Sequence, residues 1–220
     1  MILTHFLFNS PIVFDESKIQ RLVFENPADL GVMVDELRGQ IEGFEGRFIL
    51  SESEKEIDCS RSVELIIDPF SVNLNSKDIL AGFYKTVSKE LETGEDYLDY
   101  REAIGNLFQI VVSVSSEIES SSVVDELSSQ SLLKAISLGL SEEADLCERI
   151  CEYVRLVSTY TGRSLVIIIN LPCFISTEQY NDCIRQLSYH QVPILLIESV
   201  SRDDRIPTKL FDIDFCEINL

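Results

Sequence analysis

No apolar run in this sequence approaches the roughly 18 residues of a membrane span, so no membrane contact is expected. Met1 to Phe8 lack the basic region and small-residue cleavage site of a signal peptide, which makes a cytoplasmic location the expectation. The six cysteines (Cys59, Cys147, Cys151, Cys173, Cys183 and Cys216) form no Cys-x-x-Cys pair. Cys147 and Cys151 share a helix face, but two thiols without histidine or further cysteine nearby make a poor zinc site. Ordinary buried thiols are the expectation. Positive charge is scarce: 18 Lys and Arg face 38 Asp and Glu, for a net charge of −20. Such a balance argues against a general-purpose nucleic-acid binder, although local distribution outweighs the sum. Phosphate loops of the G-x-x-x-x-G-K-[ST] and G-x-G-x-x-G types are missing. The first strand-to-helix turn, Glu25-Asn26-Pro27-Ala28-Asp29, is acidic and has no glycine until Gly31. Carboxylates there would repel a triphosphate, so nucleotide hydrolysis is not expected. There is no G-x-S-x-G elbow either, and His5 and His190 have no Ser or Cys partner by spacing. His190, near a helix end, reads as a capping or packing residue.

What is present centres on Ser164 to Asn170, whose aliphatic run Leu-Val-Ile-Ile-Ile suits a strand buried on both faces. Ile194 to Ile197 forms a second such run, closed by Glu198, with a helix predicted between them from Ser176 to His190. Strand, helix and strand at that spacing describe a βαβ unit and a parallel sheet with covered faces. At 220 residues the chain can bury a sizeable core, as one domain or as a domain with an insertion. Strand-like runs at Ile2–Phe8, Ile12–Phe14 and Ile19–Phe24 open the chain. A helix capped by Asn26, with Pro27 at its first position, follows with an apolar stripe of Leu30, Val34, Leu37 and Ile41. Arg47–Leu50 and Val63–Ile67 read as two further strands, and Ile213–Ile218 as a terminal one.

From about Ser71 long helices take over. The first is capped by Asn75 or Ser76 and runs to about Leu91. Ile79, Leu80, Phe83, Tyr84, Val87 and Leu91 fall within one arc of roughly 140° at 3.6 residues per turn. Lys85 and Lys89 lie opposite, and Lys77 just outside the arc, giving either a solvated face or a stripe that meets phosphates. Next, Tyr97, Ile104, Val111 and Ile118 recur every seven residues, with Tyr100, Leu107 and Val114 recurring between them. This is an a/d seam, and Gly105 and the β-branched run after it weaken the helix enough that it needs a partner. Ser120 to Ser122 break the helix, Val123 to Leu138 resume it, and Gly139 ends it. A last long helix starts at Ser141 and runs to about Tyr160, with Leu146, Ile150, Val154 and Val157 as its stripe. The break holds Glu117, Glu119, Asp125 and Glu126, hard oxygen donors of the class that calcium takes. A solvated acidic turn is the other reading. No internal repeat is found.

Four stretches make the chain resemble the Csn-two family of CRISPR-associated accessory proteins of subtype II-A systems. They are Phe6-Leu7-Phe8 through Pro11-Ile12; Ile67-Asp68-Pro69-Phe70-Ser71-Val72-Asn73-Leu74-Asn75; Leu132-Leu133-Lys134 through Leu138-Gly139; and Leu165 to Asn170 with Phe174 to Glu178 and Leu195 to Glu198. The resemblance implies an α/β fold: a parallel-containing sheet head, P-loop-NTPase-like with its nucleotide site lost, and an inserted α-helical leg domain. Head residues would be 1–70 and 142–220, with the leg at 71–141. It further implies a homotetrameric ring without catalysis of its own, which threads double-stranded DNA ends through a basic hole. Calcium would stabilise the ring, and the function would be spacer acquisition beside the integrase complex and the effector nuclease. By the same resemblance the calcium ligands would be Glu117, Glu119, Asp125 and Glu126, and Lys134 falls in a matched leg segment. With Lys77, Lys85 and Lys89 it makes the candidate DNA-binding set. The alternative is an oligomeric scaffold that recruits those proteins with weak or no DNA binding.

Overall fold

The computed structural model describes residues 1–15, 18–116, 127–141, 145–202 and 205–219. In chain order the first elements are β1 (Ile2–His5), β2 (Ile12–Val13), β3 (Ile19–Phe24), α1 (Pro27–Ile41), β4 (Phe48–Glu52), β5 (Lys55–Ile57), α2 (Cys59–Ser62) and β6 (Val63–Ile66). Three helices follow: α3 (Lys77–Thr93), α4 (Tyr97–Ser115) and α5 (Ser129–Ala135). The chain then completes α6 (Leu146–Tyr160), β7 (Leu165–Ile169), α7 (Thr177–Ser188), β8 (Ile194–Glu198), β9 (Thr208–Phe211) and β10 (Glu217–Asn219). It divides into two compact units, a sheet unit of residues 1–74 and 142–220 and a helical unit of residues 75–141.

The sheet unit is α/β. Its main sheet has the order β10-β9-β3-β8-β7-β6, parallel except for the antiparallel pair of β9 with β10. Every residue of β7 and β8 is buried, so neither strand alternates with polar residues, as a strand covered on both sides requires. Successive side chains point to opposite faces. Leu165, Ile167, Ile169, Leu195 and Ile197 join one apolar cluster with Leu30, Met33 and Leu37 of α1 and with Leu3, Phe48 and Leu50. Arg21 faces the other way and donates to the Tyr180 hydroxyl at 2.9 Å, which places α7 on the opposite face. Each fully buried aliphatic side chain contributes roughly 1.5–3 kcal/mol relative to exposure, so this double layer dominates the unit's stability.

Several sequence expectations are corrected. Of the N-terminal strands only β3 enters the main sheet; β1, β2, β4 and β5 form an antiparallel sheet of their own, in the order β2-β1-β4-β5. Met33, absent from the predicted stripe, is buried in place of the half-buried Val34. α5 is shorter than the predicted Val123–Leu138. Its start is set by the Ser128 Oγ accepting from the Ser131 N–H at 3.2 Å, and its end by Ser137 at φ 53°, before Gly139 is reached. α6 begins at Leu146 because the Asp145 carboxylate accepts from the Cys147 and Glu148 N–H groups at 2.8 and 3.2 Å. Near the C-terminus the Asp212 carboxylate accepts from the Asp214 and Cys216 N–H groups at 3.0 and 2.7 Å. Phe215 there adopts φ 62°. That turn takes Ile213–Cys216 out of the predicted strand and leaves Glu217–Asn219 to pair with β9.

The helical unit has a thinner interior. Asn75 fixes its two chain ends: its amide donates to the Leu140 carbonyl at 3.0 Å and its oxygen accepts from the Leu140 N–H at 2.7 Å. The Tyr84 hydroxyl donates to the Leu138 carbonyl at 2.6 Å, and Ser129 Oγ donates to Glu92 at 2.6 Å. α5 therefore lies antiparallel to α3. Among the described residues, α4 buries none of its side chains.

Candidate functional site: a lysine face and an exposed apolar seam

The carboxyl ends of the parallel strands are where open α/β sheets usually bind ligands. Here the backbone donors at those ends are already used by nearby side chains. Asn26 takes the Ala28 N–H at 3.0 Å, Asp68 takes the Phe70 N–H at 2.9 Å, and Asn170 takes the Ser199 N–H at 2.9 Å. Pro27 supplies no N–H, and Asp29 adds a carboxylate to the first turn of α1. A phosphate would compete with all of these. Glu198, read from sequence as the end of its strand, is itself 2 % exposed. It pairs with Arg21 at 3.2 Å and accepts from the Tyr180 hydroxyl at 2.8 Å. Burial pushes the Tyr180 hydroxyl pKa well up, and the Glu198 charge adds to the effect. This triad satisfies its own charges and holds α7 against the sheet.

His5 is buried among Phe6, Phe8 and Phe48, with ring centroids 4.6 to 5.3 Å away. Its Nδ1 accepts from the Leu7 N–H at 3.3 Å, which leaves the proton on Nε2, facing Glu36 at 3.4 Å. It has no nucleophile beside it and acts as a packing residue. His190 is half-buried past the end of α7, where its N–H donates to the Leu187 carbonyl at 3.0 Å.

The helical unit differs in kind. Lys77, Lys85 and Lys89 on α3 and Lys134 on α5 are all exposed, and every ion pair among the described residues lies in the sheet unit. Sequence periodicity places the α3 lysines away from Ile79 and Tyr84, and those two are the side chains that α3 buries. Lys85 and Lys89 stand one helical turn apart, roughly 6 Å along the axis. Arg101 on α4, which the periodicity did not single out, joins them as a base with no ion pair among the described residues; its guanidinium lies 5.9 Å from the Tyr97 ring centroid. Acids are segregated toward the other end: Glu90, Glu92, Glu95, Asp96, Asp99 and Glu102 cluster about the α3–α4 turn.

Along α4 the predicted seam splits. Tyr97, Tyr100 and Ile104 are half-buried, whereas Leu107, Val111 and Val114 are exposed, Val114 at 58 %. Phe108 and Ile110 widen the apolar strip. A strip of this kind is costly to leave in water. The predicted calcium ligands Glu117, Glu119, Asp125 and Glu126 lie outside the described residues, as does Ile118 of the seam. Among the described residues, no group of three or more His, Cys, Asp or Glu is arranged to hold a metal ion, and no helix is long and apolar enough to cross a membrane.

A comparison with curated proteins gives no match. Among solved structures the chain is similar to cbiO1 from Clostridium perfringens, part of the ABC transporter complex cbiONQ. Identity is 12% over 92% of this chain and 76% of that one, with a TM-score of 0.47. A family model described as CRISPR-associated protein (Cas_Csn2) matches residues 40–215, which takes in the whole helical unit and the β7–α7–β8 core. On that match the chain belongs to this family of CRISPR-associated proteins.

Proposed function

We propose that this CRISPR-associated protein is a non-enzymatic, cytoplasmic accessory factor of adaptation. It assembles as a homotetrameric ring and holds the ends of double-stranded DNA while new spacers are acquired. In this reading the sheet unit is a P-loop-NTPase-like head without a working nucleotide site, and the helical unit is an inserted leg. The observation that carries the reading is the coincidence, on one helical unit, of an exposed apolar seam and lysines without ion pairs. The seam (Leu107, Val111 and Val114) supplies a surface for a second copy. Lys77, Lys85, Lys89 and Lys134 supply charges that phosphates can take without first breaking an ion pair. Calcium at Glu117, Glu119, Asp125 and Glu126 would neutralise carboxylates that otherwise repel both a neighbouring subunit and DNA.

The net charge of −20 favours a second reading, an oligomeric scaffold that recruits the integrase complex and effector nuclease with little DNA affinity. One experiment separates the two. Mass by light scattering is measured in calcium and in chelator, together with gel shifts of linear and covalently closed DNA. The first reading expects a calcium-promoted tetramer that retards only linear DNA. A tetramer that retards neither form supports the scaffold, and a monomer in both buffers overturns the assembly common to both.

A further inference from the structure

Three of the six cysteines, far apart in sequence, meet between α6 and α7 on the buried face of the main sheet. Cys151 and Cys183 are both buried, and their sulfurs are 3.8 Å apart. Cys147, one turn before Cys151, lies beside them with its thiol directed to the Gln179 carbonyl at 3.8 Å. Buried free cysteine is common, but two sulfurs in van der Waals contact on different elements are already near the separation from which a disulfide closes. Bonding requires an approach to about 2.0 Å, within reach of side-chain rotation and a small helix shift. Cys151 also borders a hollow of about 500 Å³ that opens to solvent between Glu148, Glu152, Gln186, Tyr189 and His190. A small oxidant can therefore come up to Cys151 through this hollow. The carboxylate of Glu148 on the rim repels anionic disulfides such as oxidised glutathione and leaves a neutral peroxide unhindered.

We propose that Cys151 and Cys183 form a peroxide-responsive dithiol that closes to an intramolecular disulfide joining α6 to α7. In the first step the Cys151 sulfur attacks one oxygen of hydrogen peroxide. An S–O bond forms, the O–O bond breaks, and the departing hydroxide takes up a proton as water. In the second step the Cys183 sulfur attacks Cys151. The S–S bond forms, the S–O bond breaks, and the second hydroxide leaves with the Cys183 proton as water. The two sulfurs together supply the two electrons that reduce one peroxide. The order of attack follows the environment. A thiol hydrogen bond from Cys183 lowers the Cys151 pKa against the opposing effect of burial, while the same contact and burial push Cys183 up. The product ties together two neighbouring helices, α6 and α7, which precede and follow β7 in the chain, and restrains that layer.

The test uses the full chain carrying Cys173→Ser and Cys216→Ser, which removes the two exposed thiols and leaves four. The folded protein is exposed to hydrogen peroxide, alkylated in denaturant, digested and analysed by mass spectrometry. The expected result is the loss of two alkylatable thiols and a Cys151–Cys183 linked peptide, reversed by dithiothreitol. Adding Cys183→Ser should instead leave a sulfenic acid on Cys151 that dimedone captures. Four alkylatable thiols after peroxide, or a link from Cys147 to Cys183 in place of the expected one, would overturn the proposal.

Discussion

The sheet unit and the helical unit use the same residue types for opposite ends. In the sheet unit many of the bases are bound to acids, among them Arg21 to Glu198, Arg47 to Glu36, Arg163 to Glu64 and Lys209 to Glu217. In the helical unit Lys77, Lys85, Lys89 and Lys134 stand exposed and, among the described residues, without an ion pair, although acids abound in the same segment. Apolar residues divide likewise. β7 exposes none of its five side chains, whereas α4 keeps Leu107, Val111 and Val114 in water. β7 lies in a core closed on both faces, whereas α4 leaves its apolar strip open.

The largest expected effect comes from placing one substitution in each unit. Ile167→Asp puts an unpaired charge into a fully buried strand and should cost on the order of 4–5 kcal/mol, enough to remove the folded sheet unit. Val111→Asp acts on a 52 % exposed residue and should leave the helical circular dichroism and the monomer's stability within about 0.5 kcal/mol of the parent. Its effect should appear in assembly, as a fall in solution mass. A Val111→Asp chain that loses its helicity would mean the seam is structural within one subunit, and the contrast between the units would collapse.

A somewhat smaller effect is expected on DNA. Replacing Lys77, Lys85 and Lys89 by Gln should reduce affinity for linear duplex by roughly 10–100-fold at moderate salt. The steepness of the log–log salt dependence should fall by about 2–3. Replacing Arg38, Arg61 and Arg185, exposed bases of the sheet unit already paired with acids, should change affinity by less than about threefold. Equal losses from the two triple variants would place the DNA contact outside α3.

Within the helical unit, Asn75 does work that a thicker core would otherwise do. Asn75→Ala removes both hydrogen bonds to Leu140 and should lower the unit's stability by about 1–3 kcal/mol, read by urea unfolding. Asn75→Asp keeps the acceptor for the Leu140 N–H and loses the donor, so its loss should be intermediate. No change in either variant would show that the chain ends of this unit are held by packing alone.

These contrasts were legible in the sequence to different depths. β7 and β8 were readable because burial on both faces leaves no polar residue to confuse the pattern, and the α3 lysines because a helix converts spacing directly into angle. The short strands β5 and β9 escaped, and β10 was placed a few residues too early, because three or four residues, some charged, carry too little pattern. Lys209 shows the difficulty: by sequence it argues for exposure, yet it is buried in β9 against Glu217 and the Ser10 hydroxyl, 199 residues away. Glu198 does close β8, but its burial is not legible in the sequence, since its partner Arg21 lies on another strand. The boundaries of α5 and α6 turned on which of several neighbouring Ser, Asp and Glu side chains supplies the cap. Ser128 and Asp145 do so, a choice that periodicity cannot make. The meeting of Cys151 with Cys183 needed the packing of α6 on α7, which no local pattern contains.

The smallest expected effect is one of pH, and it tests whether the sheet unit's ion pairs are as self-contained as they look. Burial lowers the pKa of His5 below the ordinary 6.5, against the raising effect of Glu36. Arg47, through its hydrogen bonds, brings Glu36 from 4.5 down to about 2. Both shifts have the same sign in stability. The folded state prefers neutral His5 and ionised Glu36, so the unfolded state binds more protons as pH falls, and stability falls with it. The windows differ. The His5 contribution is complete above pH 6.5 and is lost as pH drops below that value, at no more than about 1.4 kcal/mol per pH unit. The Glu36 contribution is complete above 4.5 and is lost from there toward about 2. His190, also lowered by burial, adds to the first window. His5→Asn keeps an acceptor near the Leu7 N–H while removing the titration. It should flatten the stability curve between about pH 5 and 6.5 and leave the acid limb below 4.5 in place. An unchanged slope above pH 5 would assign that window to His190, and a flattened acid limb would mean that Glu36 depends on His5 more than on Arg47.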